Sequence, residues 1–525
     1  IDLDLLPTEL FTKLTVSKSP NASHLEGGAA GVVNLRSARP FDKEGTYVVY
    51  SATAQKQEIA NDVGGRGSLL ASKTWGDKFG ILGGVYFNRQ KARTTGYETV
   101  GLTNANLSAA QNGLPSRNNT GGGNWTIPGT VPVGAGAGLV PGTPINQGFL
   151  EANNPGTSIT AIDNALVPRL GRYMEYYGDR DKASAIISAE YRPTENLQFY
   201  VDTLYSEKDD DMQRIGYTWA MRNEFAIPLN MTVDRADCNA GCTATGGTFA
   251  NARSFIEYGP RRDKTTLKGI NPGMTWQIAP TLKLEAQANA TKSDFSHEAP
   301  TVMPITPAGS GLVATYDATN GGVPNITFNK DLNDPSQYVW AGGRVNIQNE
   351  LRETSTKGFH TDLTWGDNKL NLKLGYAYDD IDRRIRGQDN SAAWQAAVCG
   401  NNPNVFLQGP NGAPACDGAN TPGASAAALY PGFGTGYTAG RTDQLTYQGS
   451  LIPADKLASY LVPGEYGRLV VDWDRFKKDS NYDYYNSTAP DSTSSSTGAS
   501  AGFMREKTSG FYTEINGSSL LANMP

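Results

Sequence analysis

Apolar and polar residues alternate with a period of two over long stretches of the chain. In the segment LKLEAQANAT, Leu282, Leu284, Ala286, Ala288 and Ala290 fall on one face, and Lys283, Glu285, Gln287, Asn289 and Thr291 on the other. The same alternation runs through LNLKLGYAYD, from Leu370 to Asp379, and LQFYVDTLYS, from Leu197 to Ser206. Successive side chains of a strand point to opposite faces, so this rhythm predicts strands with two unlike faces. Ten are predicted, near 45–58, 62–75, 79–93, 171–192, 197–214, 252–278, 282–297, 343–365, 370–388 and 500–516. No helical pattern of comparable length occurs. Short turns (76–78, 193–196, 279–281, 366–369) alternate with long connections (94–170, 215–251, 298–342, 389–499), and a short link near 59–61 is the exception.

Short turns at one end and long loops at the other are the pattern of an up-and-down transmembrane β-barrel. The fold class predicted is all-β: a transmembrane antiparallel β-barrel. Trp75, Tyr191, Trp276 and Trp365 each lie a few residues before a short turn, where they would form an aromatic girdle at a membrane boundary. Several strands exceed the ~9–11 residues that a tilted spanning strand needs, so their upper parts should rise above the membrane and carry the loops.

Composition supports this reading. The 525 residues are only 38% hydrophobic and 19% charged, with 59 Gly and more Tyr (25) than Phe (17). No apolar run approaches the ~18 residues of a membrane helix, and the charge is too low for a charge-rich disordered chain. A net charge of −6 argues against a nucleic-acid partner.

Four cysteines form two local pairs, Cys238 with Cys242 and Cys399 with Cys416, in Gly/Asn/Ala-rich stretches. Disulfides in an oxidising compartment are favoured over zinc, because His24, His297 and His360 lie near neither pair. No catalytic signature is convincing, and the chain is not expected to be an enzyme. Gly498-Ala-Ser-Ala-Gly502 fits G-x-S-x-G, but it follows a Ser/Thr-rich run rather than the hydrophobic strand that exposes a nucleophile. No cofactor or catalytic metal is predicted. The carboxylates Asp209-Asp210-Asp211 and Asp379, Asp380 and Asp382 could bind structural calcium, although solvated rim charge is the commoner role of such runs.

Residues 1–42 do not read as barrel. They carry Leu6-Pro7-x-Glu9-Leu10, Val16-x-Lys18-Ser19-Pro20-x-Ala22, then Glu26-Gly27-Gly28 through Gly31 to Leu35 and Arg36, and finally Arg39-Pro40-Phe41-Asp42. In order and spacing this segment resembles the end of the plug domain of TonB-dependent outer-membrane receptors, in the large proteobacterial subgroup with a Pro-Phe-Asp signature. Arg505-Glu-Lys-Thr508 with Gly510-Phe-Tyr512 resembles a mid-barrel strand of that subgroup. The resemblance implies a plug end at 1–42 and the first part of a twenty-two-stranded barrel at 43–525. The opening IDLDLLPTEL is not an export signal. The expectation is that the start of the plug, its TonB box and the closing strands lie outside this sequence.

The resemblance further implies a Gram-negative outer membrane, contact with its lipid and lipopolysaccharide, and TonB-driven uptake of an extracellular solute. A surface lipoprotein partner is compatible with it. The glycines of the signature would allow close backbone approach, and Glu26, Arg36 and Arg39 would pair with polar groups inside the barrel. Loops rich in Asn, Asp, Tyr and Trp suit a carbohydrate, with Trp125, Tyr173, Tyr176, Tyr177, Trp219, Trp340 and Trp394 as stacking candidates or, alternatively, loop packing. A siderophore or vitamin complex is the competing cargo, and a binding or adhesion barrel the competing class.

Overall fold

A computed structural model describes residues 5–19, 21–24, 31–113, 125–400, 416–418, 450–492 and 501–517. Two short antiparallel strands come first, β1 (Phe11–Ser17) and β2 (Val32–Ser37). A 3-10 turn at Pro40–Asp42 leads from them into the main sheet. Its long strands are β3 (Thr46–Gln57), β4 (Asp62–Trp75), β5 (Phe79–Thr99), β6 (Leu170–Thr194), β7 (Leu197–Ala220), β8 (Arg253–Ala279), β9 (Leu282–Glu298), β10 (Gln348–Gly366), β11 (Leu370–Asp389) and β12 (Gly502–Gly517). Each pairs antiparallel with its sequence neighbour. All ten predicted strands are present, and the largest boundary errors are at the loop ends of β5 and β7. The sheet is open: β3 and β12 lie at its two edges and do not pair with each other among the described residues.

The alternation sorts residues onto two unlike faces. One face carries Ser188, Glu190, Asp202, Ser206, Gln287 and Asp362, and the N-terminal segment packs on it. Leu10 and Ala38 join Leu70, Leu82, Tyr86 and Ile186 in a small buried cluster. The other face leaves large apolar side chains uncovered: Tyr50 is 80% exposed, Phe87 60%, Ile187 56%, Trp365 63% and Phe511 87%.

The described parts of the long connections are folded. Segments Leu102–Thr103, Ala165–Pro168, Ile227–Val233, Cys242–Ala250, Ala314–Asp317 and Asn325–Phe328, drawn from three different connections, build a six-stranded sheet. Its core holds Trp125, Trp219 and Phe249. The fourth connection contributes helices α1 (Ser391–Val398), α2 (Trp473–Asp479) and α3 (Tyr482–Ser487). They pack with Trp340 around Trp394, Phe476 and Tyr482. A disulfide joins Cys238 to Cys242 in the first loop body, and another joins Cys399 to Cys416 in the second.

Candidate functional site

The N-terminal segment is fastened to the sheet through its signature residues. The Arg39 guanidinium donates to Asp202 through Nε (3.0 Å) and Nη2 (2.7 Å) and lies 3.6 Å from the centre of the Tyr200 ring. Asp202 also accepts from the Ser188 hydroxyl at 2.6 Å, so both its oxygens are engaged. The Phe41 amide donates to Glu190 at 2.8 Å, and the Phe41 ring lies under Arg192. Pro40 sits against Gly80, where an added Cβ would come within 2.5 Å of the Pro40 Cβ. At Gly84 an added Cβ would lie 2.9 Å from Leu10. These two glycines of β5 give the segment its seat.

Arg36 takes a different partner from the one its sequence context suggested. Its guanidinium pairs within the segment to Asp42 at 2.6 Å, and Asp42 in turn accepts from the Arg39 amide at 2.9 Å. Asp42 therefore closes the turn that presents Arg39 to the sheet. Gly31 adopts φ +130°, and a Cβ there would meet the Ser17 carbonyl at 2.8 Å, so β1 and β2 approach as closely as they do because this residue is glycine. Glu26, Gly27 and Gly28 lie outside the described residues. Between the β1–β2 hairpin and the sheet is a cavity of about 300 Å³, lined by Lys13, Asn34, Arg36, Asp202, Asn271 and Gln287 among others.

The aromatic residues singled out as sugar platforms are mostly core residues. Trp125, Trp340 and Trp394 expose none of their surface and Trp219 only 1%. Trp125 donates its indole N–H to the Ala226 carbonyl (2.8 Å), Trp340 to Ile452 (2.9 Å) and Trp394 to Ser480 (3.1 Å). Trp219 makes no such bond and is instead packed against the Phe249 and Tyr316 rings. A ring buried in either way cannot stack on a solute, so packing is the role these four hold here. Tyr177 is buried, with its hydroxyl on Gln213. The Tyr173 hydroxyl bonds to Pro324 and accepts from the Ile326 amide. Tyr176 is half-buried on β6.

One carboxylate of each acidic run is committed to an arginine. Asp209 pairs with Arg262 and Asp380 with Arg505, both at 2.7 Å. Among the described residues no group of three or more acidic, His or Cys side chains gathers as a metal site. The serine of the G-x-S-x-G match lies outside the described residues, and its last glycine opens β12.

At the loop end, Glu257 of β8 stands between two arginines. Arg172 approaches to 3.0 Å, and Arg214 donates to the other oxygen. Burial alone would raise its pKa, but the two guanidiniums outweigh burial and hold the carboxyl below its usual range.

Six strands of the uncovered face share one layout, from which β4, with Lys73 outward, and β10, with Thr361 outward and Lys357 one step nearer the turn, depart. Outward residues run Phe79 to Phe87 on β5, Tyr191 to Ala183 on β6, Leu197 to Tyr205 on β7, Ile278 to Ile270 on β8, Leu282 to Ala290 on β9 and Leu370 to Tyr378 on β11. The next outward position is always charged: Arg89, Asp181, Glu207, Lys268, Lys292 and Asp380 respectively. Many of these charges pair across strands, as Lys264 does with Glu207 at 2.9 Å. Trp75, Tyr191, Trp276 and Trp365 stand at the turn end of the same face, 38–63% exposed.

No family model, curated protein or solved structure matches the chain.

Proposed function

We infer that the chain is the plug end and leading wall of an outer-membrane uptake receptor, with the exposed sheet face turned to lipid and the N-terminal segment on its inner side. One observation carries this reading: on six strands the outward apolar run has the same length, with an aromatic or aliphatic residue at the turn end and a charge at the loop end. About nine residues at ~3.3 Å, tilted by ~40°, give a band of roughly 23 Å, close to the ~25 Å apolar belt of outer-membrane barrels. Exposed apolar surface of this extent is untenable in water. Charges at one common level are what a lipid headgroup boundary requires.

The inner face is polar, and the segment seated on it is held by few strong contacts: Arg39 on Asp202, Phe41 on Glu190 and Leu10 in a small apolar cluster. A body bound in this way can be displaced by a pull without unfolding the wall. In the receptors that the segment resembles, TonB supplies that pull from the proton gradient. The cargo proposed is a carbohydrate, on the strength of that resemblance and of the polar Asn-, Asp- and Tyr-rich loops.

Growth of a strain lacking the gene, and of one that keeps the gene but lacks active TonB, tests both levels. Loss of growth on an oligosaccharide in both backgrounds is the expected result. Loss of growth on an iron chelate with an unchanged sugar panel would replace the cargo. A protein that stays monomeric without detergent would overturn the membrane reading.

A further inference from the structure

At the loop end of the inner face, arginines outnumber the carboxylates that face them. Arg172 of β6 shares the parity of Ser188 and Glu190, and Arg214 of β7 that of Asp202 and Ser206, so both stand on the polar side of the wall. Glu98 and Glu257 bridge them. Glu98 lies 2.8 Å from Arg172 and 3.4 Å from Arg214. Glu257 holds Arg172 at 3.0 Å and Arg214 through its other oxygen. This quartet is neutral. Two further guanidiniums are unmatched: Arg344, which lies against the Met303 sulfur, and Arg222, just past the end of β7, make no ion pair among the described residues. Both are exposed. Met303 packs with Leu170 and Ala220, which share the parity of Arg172 and Arg214, so Arg344 belongs to the same face. Arg222 and Arg172 both repel Arg344, and Arg253 close by is committed to Glu224 at 3.4 Å. The group therefore carries uncompensated positive charge and calls for an anion.

An aromatic ring stands at the other end of the same strip. Tyr176 is directly opposite Arg214 and half-buried. Of the aromatic residues considered as sugar platforms, it alone is neither buried nor bonded to a loop among the described residues. From β6 the sheet runs through β7, β8 and the short strand Thr301–Ile305 to Val339–Asn346, which carries Arg344. Four steps of ~4.8 Å place Arg344 roughly 19 Å from Tyr176, room for several sugar rings. Gly216 lies on the strip between them. A Cβ there would come within 2.9 Å of Arg172 Cδ, so the glycine lets that arginine lie flat along the wall. A neutral sugar chain would use the ring and leave the cations unmet. A chain of sugar acids satisfies both ends: its CH faces stack on the ring, and its carboxylates take paired N–H···O bonds from the planar guanidiniums.

We propose that this strip binds an acidic oligosaccharide, with uronate carboxylates on Arg344 and Arg222 and a sugar ring on Tyr176. The assignment rests on the uptake reading given above and narrows its cargo from carbohydrate to acidic carbohydrate. An iron chelate can offer the same carboxylate, but it has no row of rings to span from the arginines to the tyrosine.

Isothermal titration calorimetry of the full chain in a non-ionic detergent tests the strip. The probes are tetramers of galacturonate, glucuronate and mannuronate, their methyl esters, and ferric citrate. At least one acidic tetramer should bind, and its ester about 100-fold more weakly, at about tenfold for each charged hydrogen-bonding group lost. R222Q/R344Q leaves the neutral quartet in place and should bring the acid down to the affinity of the ester. Y176A should weaken acid and ester alike, about fivefold, and keep their ratio. If the double variant does not keep its β-sheet circular dichroism, added salt serves instead: it should weaken the acid and spare the ester. Absence of binding by every acidic tetramer, equal affinity for acid and ester, or unchanged binding of the acid by R222Q/R344Q would each overturn the proposal. Ferric citrate bound more tightly than any tetramer would make the strip a chelate site and overturn it too. The two readings fail differently: esters bound as tightly as acids refute the acidic strip and leave carbohydrate uptake standing, whereas ferric citrate bound and no sugar bound removes both.

Discussion

The Arg39–Asp202 pair is the contact on which docking of the N-terminal segment should depend most. Its side chains are 16% and 11% exposed, so the pair is far from the solvent-screened limit at which ion pairs contribute ~0–1 kcal/mol. Truncating Arg39 to Ala would leave a mostly buried carboxylate with only the Ser188 hydroxyl, a change of about 3 kcal/mol by analogy with broken buried pairs. Loss of the guanidinium stack on Tyr200 adds about 1 kcal/mol. The expected total of about 4 kcal/mol is a roughly thousandfold change in local opening. Native-state hydrogen exchange reads it directly. The Phe41 amide, bonded to Glu190, and the Ala38 amide, bonded to the Leu10 carbonyl at 3.2 Å, should exchange roughly a thousandfold faster in R39A. Amides in the middle of β6 and β7 should keep their protection. D202N retains the stack and part of the hydrogen bonding and should lie near the midpoint. Exchange at Phe41 within about fivefold of the unaltered protein would show the pair to be no stronger than a surface contact and refute the reasoning.

Gly80→Ala should disturb the segment more than Gly84→Ala, within a range of about 1–3 kcal/mol, because the first clashes with the rigid Pro40 ring and the second with the mobile end of Leu10; the same amide exchange compares them. The Glu257 carboxyl is held below its usual range, so the stability it contributes is complete above about pH 4.3 and is lost as pH falls through its depressed value. Melts of E257Q should therefore be flatter than those of the unaltered protein below about pH 4, and identical slopes would refute the assignment. Trp394→Ala should cost the second loop body about 3–5 kcal/mol, seen as early loss of protection around Phe476. Brominated acyl chains should quench the fluorescence of Trp75, Trp276 and Trp365 and leave Trp125, Trp219, Trp340 and Trp394 unaffected; quenching of the buried four would contradict the orientation of the sheet.

The wall was legible because its signal is local. Period-two alternation with Gly, Pro, Asn and Asp at the turns fixes strand and face together, and β9 and β11 were found almost to the residue. The loop bodies were not legible, for two physical reasons. Their strands are short and pair across large gaps in sequence: Cys242–Thr243 lies parallel to Ala165–Leu166, and Gly246–Phe249 antiparallel to Ala314–Asp317. No periodicity of one segment reveals such a partner. A tryptophan in a polar loop also looks the same in sequence whether it stacks on a solute or closes a core, which is why Trp125, Trp219 and Trp340 suggested binding. Arg39 was found by its place in a motif, but its partner Asp202 is 163 residues away. The alternation put Asp202 on the polar face and could go no further.

The pairing pattern also sets an order of assembly. Every long strand of the wall lies beside the strand made just before it, so the sheet can grow one hairpin at a time with small loop-closure cost. The first loop body follows the opposite rule. It needs Leu102–Thr103, Ala165–Pro168, Cys242–Ala250 and Asn325–Phe328 at once, and the last of these follows β9 in the chain. Its core cannot close until β5 through β9 are threaded and their loop ends gathered, so it acts as a late clasp on five strands. A wall assembled out of register would bring the wrong loop ends together and leave Trp125 and Trp219 uncovered. The clasp would then fail to form, and burial of those two rings becomes a checkpoint on the register of the strands below.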